Sequence, residues 1–153
     1  IEMFEHMRNI EKLLEKISGW MKSDAKLFVH VFCHKKLSYF FDWQDDTDWM
    51  SRYFFTGGMM PSYDLYKNFD CHLRIQRQWF VSGTHYGRTA RDWLKNMDRQ
   101  FTDLYPSFED IYGTSLAGLW WERWRIFFMS CEELWNYDDG SEWHVAHYLM
   151  EKP

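Results

Sequence analysis

Glu2, Glu5 and His6 stand at positions i, i+3 and i+4, a spacing that puts two carboxylates and an imidazole on one face of a helical turn. Such a group can hold a cationic substrate and accept its proton, because a neighbouring charge tunes an imidazole near neutral pH. The same residues also suit a helix start, where the backbone dipole favours acids, and spacing alone leaves both readings open. His30 interrupts the apolar run Leu27–Cys33. A single histidine in such a run is ordinarily a hydrogen-bonded core residue, but open α/β sheets bind ligands at the carboxyl ends of parallel strands, where Cys33 and His34 follow it. His85-Tyr86, after Ser82-Gly83-Thr84, reads as a loop between strand and helix, with Tyr86 either offering a ring and a hydroxyl or simply completing a turn. Trp120, Trp121, Trp124, Phe127 and Phe128 form a dense aromatic run. Aromatic helix stripes usually pack a core, yet Trp121 and one of Phe127 and Phe128 exceed what one face needs. Ring faces attract cations by about 0.5–2 kcal/mol each.

Composition narrows the classes further. The 153 residues carry 18 Lys and Arg against 23 Asp and Glu, with no basic block longer than Lys35-Lys36. That balance argues against a nucleic-acid surface or a polybasic membrane patch. No apolar run approaches the roughly 20 residues needed to span a bilayer, and no signal-peptide core opens the chain. Three cysteines (Cys33, Cys71 and Cys131) lie far apart and are odd in number, which predicts reduced thiols and a cytoplasmic compartment. No metal is expected. As strand residues His30 and His34 would lie ~13 Å apart, and His144 and His147 would face opposite ways. Asp45-Asp46-Thr47-Asp48 lacks the glycine and ligand spacing of a calcium loop. No Gly-x-Gly-x-x-Gly turn is present to cradle a nucleotide.

These residues need elements to position them. Met7, Ile10, Leu13, Leu14, Ile17 and Met21 recur at helical spacing and predict a helix to about Met21. Leu27–Cys33, apolar on both faces apart from His30, predicts a strand buried in a parallel sheet. Helix followed by buried strand implies α/β layers. An insertion over about residues 35–70 follows, with a short helix from Asp48 to Phe55, then Thr56-Gly57-Gly58, then a helix from Ser62 as N-cap to about Phe69. Arg74–Val81 reads as a strand, Thr89–Leu104 as a helix closed by Pro106, and Ser115–Trp135 as a helix with a stripe through Leu119, Trp120, Trp124, Phe127, Phe128, Cys131 and Leu134. Asp138-Asp139-Gly140 signals a turn before a last strand, Trp143–Met150. With about three strands and nothing upstream to pair the far side of the first, the chain reads as the second half of a larger domain. A bare sheet edge predicts a homo-oligomer or docking of a complementing N-terminal half.

Several longer motifs occur in order: Ile1-Glu-Met-Phe-Glu-His-Met7, Lys26-Leu-Phe-Val-His-Val-Phe-Cys-His34, Tyr53 through Ser62, Gly83-Thr-His-Tyr86 through Trp93, Trp124-Arg-Ile-Phe-Phe128 and Glu142-Trp-His-Val-Ala-His147. Together, over essentially the whole chain, they resemble S-adenosylmethionine-dependent methyltransferases of the coclaurine N-methyltransferase type, within the cyclopropane-fatty-acid-synthase superfamily. The resemblance implies the C-terminal half of a Rossmann-like class I methyltransferase fold, with S-adenosylmethionine bound mainly by the N-terminal half and a small-molecule amine as acceptor. It also implies that Glu2, Glu5 and His6 handle the acceptor amine and that Trp124 and Phe127 line its pocket, with Phe128 beside them. His30 and Tyr86 fall where lipid-modifying relatives, together with Glu5, hold a bicarbonate-like base. Residues 45–58 and Met59-Met60-Pro61 look more like the amine-modifying branch, whereas Cys71-His72 stands where relatives often carry acidic residues. A lipid-acting methyltransferase and a non-catalytic truncated fragment are the alternatives.

Overall fold

The computed structural model describes every residue except Thr56, so that residue of the expected Thr56-Gly57-Gly58 stretch lies outside the described residues. The chain forms two compact units, one of Ile1–Ser82 with Ser141–Pro153 and one of Gly83–Gly140.

In the first unit a 3-10 turn, Phe4–His6, precedes helix α1, Ile10–Trp20. Asn9 caps α1, its side-chain oxygen accepting from the Lys12 N–H at 3.0 Å. Helix α1 therefore begins three residues after Met7, where the cap satisfies an orphan donor. Strand β1, Lys26–His34, pairs antiparallel with β5, Trp143–Glu151, and β5 pairs antiparallel on its other side with β4, Arg74–Val81. The sheet order is β1-β5-β4. An α/β layering is thus present, but the parallel neighbours expected for β1 are not among the described residues. A two-sided apolar run reports that both faces are covered and carries no information on strand direction. The far edge of β1 is also partly paired: the Glu2 N–H donates to the His30 carbonyl at 3.0 Å, the His34 N–H donates to the Pro61 carbonyl, and the Tyr63 N–H donates to the His34 carbonyl, both at 2.9 Å.

Side chains alternate across β1. Val29, Val31 and Cys33 enter the core with Ala146, Tyr148 and Met150 of β5, joined by Phe4, Ile10, Leu14, Tyr66 and Leu73. His30 and Phe32 fall on the opposite face. Burial pushes the Cys33 thiol well up from its ordinary value, so it packs as a small apolar group.

The insertion is built otherwise than its sequence suggests. Strands β2, Tyr39–Phe40, and β3, Met59–Met60, form a two-stranded ladder around a short helix α2, Trp49–Tyr53. The helix expected from Ser62 to Phe69 is one 3-10 turn, Leu65–Asn68. Ser62 does not cap it: the turn starts later, with Asp64 at the cap position, and the Ser62 N–H donates to the Ser38 hydroxyl at 2.9 Å.

The second unit is helical. Helix α3, Thr84–Arg99, breaks at Gln100, and α4, Phe101–Tyr112, continues through Pro106 to Gly113, whose φ of +81° ends it. Pro106 therefore lies inside a helix rather than closing one. The break falls where the Gln100 N–H is shared between the Asn96 and Met97 carbonyls. His85 and Tyr86, read from sequence as a loop, lie in the first turn of α3. Helix α5, Thr114–Asn136, buries Ala117, Trp121 and Trp135, whereas Leu119 of the expected stripe is 49% exposed. Trp121 is enclosed by the rings of Phe101, Phe108 and Tyr105, so it is core and does not wall a pocket. Arg91 to Glu132 and Arg125 to Asp98 tie α3 to α5. Burial pushes the half-buried Cys131 thiol up to about 12.

Candidate active site

Phe4 anchors the N-terminal turn by packing edge-on against Tyr66, centroids 5.5 Å apart. With Phe4 held inward, Glu5 is drawn in beside it and is only 2% exposed, while the His6 side chain stays 59% exposed. One Glu5 carboxylate oxygen, Oε2, has no hydrogen-bond partner among the described residues, and neither does the buried Tyr66 hydroxyl. Desolvation raises the Glu5 carboxyl above its ordinary 4.5, and the nearby Glu2 adds to the rise, against the pull of its backbone hydrogen bond and His6. His6 Nε2 lies 3.8 Å from Glu5 Oε1, close enough for charge interaction and too far for a hydrogen bond.

Glu2 does not share that turn. It lies outside the 3-10 helix with φ +51°, a conformation uncommon for a residue with a side chain. Its Oε1 is 3.1 Å from His30 Nε2, and His30 Nδ1 is 2.8 Å from His147 Nε2. His30 is therefore hydrogen-bonded on both nitrogens, and a carboxylate belongs to its network.

The insertion packs directly on the turn. A Cβ placed on Gly58 would lie 2.8 Å from the Glu5 carbonyl oxygen and 3.2 Å from the Phe41 ring. Arg8 straps the same segment: Nε donates to the Gly57 carbonyl at 2.9 Å, Nη2 to Asp42 Oδ1 at 2.6 Å, and the guanidinium lies over Phe40 at 4.4 Å. The Phe32, Phe41 and Phe55 rings cluster beside it, with centroids 5.2–6.3 Å apart. His34 holds the next turn. Its Nδ1 accepts from the Lys36 and Leu37 N–H groups at 3.0 and 2.9 Å, and its Nε2 meets Glu142 at 3.0 Å. Both nitrogens of His34 are engaged in holding structure.

The remaining candidates belong to the second unit. Trp124, Phe127 and Phe128 form one half-buried ring cluster on α5, with centroids 5.6–5.8 Å apart. The Trp124 indole N–H donates to the Tyr112 hydroxyl at 3.1 Å. Tyr86 packs on Trp135 at 5.2 Å. Sequence reasoning missed Tyr66, Arg8, Gly58 and His147. None stands near its partner in a recognisable spacing, and only strand register reveals His147 opposite His30.

No family model matches the chain. It is 38% identical, over 99% of its length, to an (S)-coclaurine N-methyltransferase of Papaver somniferum and 37% identical to one of Thalictrum flavum. A crystal structure of coclaurine N-methyltransferase bound to N-methylheliamine and SAH superposes over 99% of the chain with a TM-score of 0.90 at 36% identity. The chain is homologous to the coclaurine N-methyltransferases. It spans about 44% of the length of these relatives. A cyclopropane synthase of Mycobacterium tuberculosis, 13% identical with a TM-score of 0.69 over 93% of the chain, shares the fold. No helix among the described residues is long and apolar enough to cross a membrane. Among them no group of three or more His, Cys, Asp and Glu residues is placed to hold a metal ion.

The turn after β1, Lys35–Ser38, contains no glycine, and its Lys36 and Leu37 N–H groups are already taken by His34.

Proposed function

We propose that the chain is the acceptor-side, C-terminal part of one S-adenosylmethionine-dependent N-methyltransferase domain, with residues 35–70 as its acceptor-site insertion and a small aromatic amine as substrate. The observation that carries this reading is the buried Glu5 carboxylate with an unpartnered oxygen, in a chain that superposes on an amine-binding relative. An isolated buried carboxylate is costly, and a cationic ammonium is the partner that offsets the cost. Glu5 and Glu2 hold the acceptor as its ammonium ion. His6, exposed and 3.8 Å from Glu5, takes the N–H proton and passes it to water, which leaves a nitrogen lone pair. S-adenosylmethionine, when bound, would supply a sulfonium-activated methyl group, and the freed lone pair would form the N–C bond as the C–S bond breaks. Holding the amine in line supplies much of the acceleration, because proximity can lower a bimolecular barrier by about 7–11 kcal/mol. Trp124, Phe127 and Phe128 supply ring faces that favour cations. Under this reading His30 and Tyr86 support the acceptor site, the protein acts in the cytoplasm, and the donor is held by a complementing N-terminal half or by a homo-oligomeric assembly.

Two measurements test the proposal. Calorimetric titration of S-adenosylmethionine into the 153-residue chain is expected to show no micromolar binding, and micromolar binding would refute the division of labour. A full-length protein containing the chain is expected to methylate benzylisoquinoline-like amines. Transfer to unsaturated phospholipid instead would favour the lipid-acting reading.

A further inference from the structure

We propose that His147 is a positioning residue of the acceptor site, fixing the tautomer of His30 and through it the placement of the Glu2 carboxylate. The inference rests on the reading of Glu2 as a cation-holding group. Glu2 sits in the left-handed region at φ +51°, which persists only where surrounding contacts determine it. Two of those contacts come from His30: its carbonyl accepts the Glu2 N–H at 3.0 Å, and its Nε2 lies 3.1 Å from Glu2 Oε1. A carboxylate can only accept, so His30 Nε2 must carry the hydrogen. With that hydrogen on Nε2, the Nδ1 of His30 accepts from His147 Nε2 across the 2.8 Å contact.

The geometry is set by the sheet, not by a loop. His147 of β5 is the register partner of His30 of β1, and the paired strands fix the spacing of their rings at 4.8 Å between centroids. Phe28 packs on the His147 ring at 5.1 Å and limits its rotation. Burial and the adjacent His30 hold His147 below its ordinary value, so it stays neutral with a single N–H. Every hydrogen in the chain then points from His147 through His30 towards Glu2.

The test compares wild type with His147→Phe, which keeps a ring but no donor, and His147→Gln, whose amide N–H can reach the place of Nε2. Long-range 15N–1H spectra of the 153-residue chain are expected to show His30 as the Nε2–H tautomer in wild type and His147→Gln, and as a tautomer mixture in His147→Phe. Affinity for a tetrahydroisoquinoline amine is expected to fall about tenfold in His147→Phe and to recover to within about threefold of wild type in His147→Gln. An Nδ1–H tautomer in wild-type His30, or unchanged amine affinity in a His147→Phe protein whose tautomer has shifted, would overturn the inference. Wild-type protein that takes up no amine would sink the functional reading instead, and the tautomer spectra alone would then decide the role of His147.

Discussion

Replacing Glu5 by Gln is expected to stabilise the chain and to abolish most of its affinity for the acceptor. The side chain is 2% exposed and one of its oxygens has no partner. Removing its charge should raise the unfolding free energy at pH 7 by about 1 kcal/mol, because a buried neutral amide costs less than a buried unpaired carboxylate. In the proposed acceptor site the same change removes the anion that would face the ammonium, and amine affinity is expected to fall about 100-fold. Opposite signs for stability and binding distinguish a functional carboxylate from a structural one. The pH dependence follows from the direction of the shift. In the folded chain Glu5 holds its proton above the ordinary value of 4.5. Between the unfolded and folded values the folded state therefore binds more protons, and stability falls as pH rises through that window. Urea unfolding across the acid range should show this fall in wild type, and Glu5→Gln should lack that part of it. A Glu5→Gln protein less stable than wild type at pH 7 would contradict the argument.

The second large effect is expected at Gly58. A methyl group there would meet the Glu5 backbone carbonyl at 2.8 Å and Phe41 at 3.2 Å, and backbone cannot move aside as the end of a flexible side chain can. Gly58→Ala is expected to cost about 2 kcal/mol through overpacking. It should also displace the Phe4–His6 turn, lowering amine affinity about tenfold or more, since shifts near 1 Å at a positioned group can cost up to 100-fold. Gly19→Ala is the control. Its Cβ would meet nothing within 4 Å inside α1, so it should add about 0.5–1 kcal/mol of stability and leave binding unchanged. Urea midpoints and calorimetric amine titrations report both quantities. Unaltered binding in Gly58→Ala would show that the insertion does not set the Glu5 geometry.

Much of the secondary structure was legible because its signals are local. The α5 periodicity, the Asp138-Asp139-Gly140 turn and the alternation in β4 each lie within one element, and all three elements formed. What escaped depends on pairing between distant residues. The direction of β1 is set by β5, more than a hundred residues away, and its own apolar run is equally consistent with parallel or antiparallel neighbours. Pro106 failed as a helix stop because the helix, restarted after the break at Gln100, runs on through it to Tyr112, held by packing that the local sequence does not report. At the candidate site Glu2, Glu5 and His6 were legible as a cluster. Their separation into a buried carboxylate, an exposed imidazole and a strand-bound carboxylate was not. That separation comes from Phe4 packing on Tyr66 and from Glu2 pairing with the edge of β1, contacts that span tens of residues.

The most direct test of the account is a carbon-13 NMR titration of the Glu5 carboxyl, its signal assigned by loss in Glu5→Gln, with a tetrahydroisoquinoline amine added stepwise. The account predicts a saturable shift of that signal and a downward move of its titration midpoint, because a bound cation favours the charged carboxylate. A Glu5 signal that stays fixed, with an unchanged midpoint, while the amine binds elsewhere on the chain would contradict it.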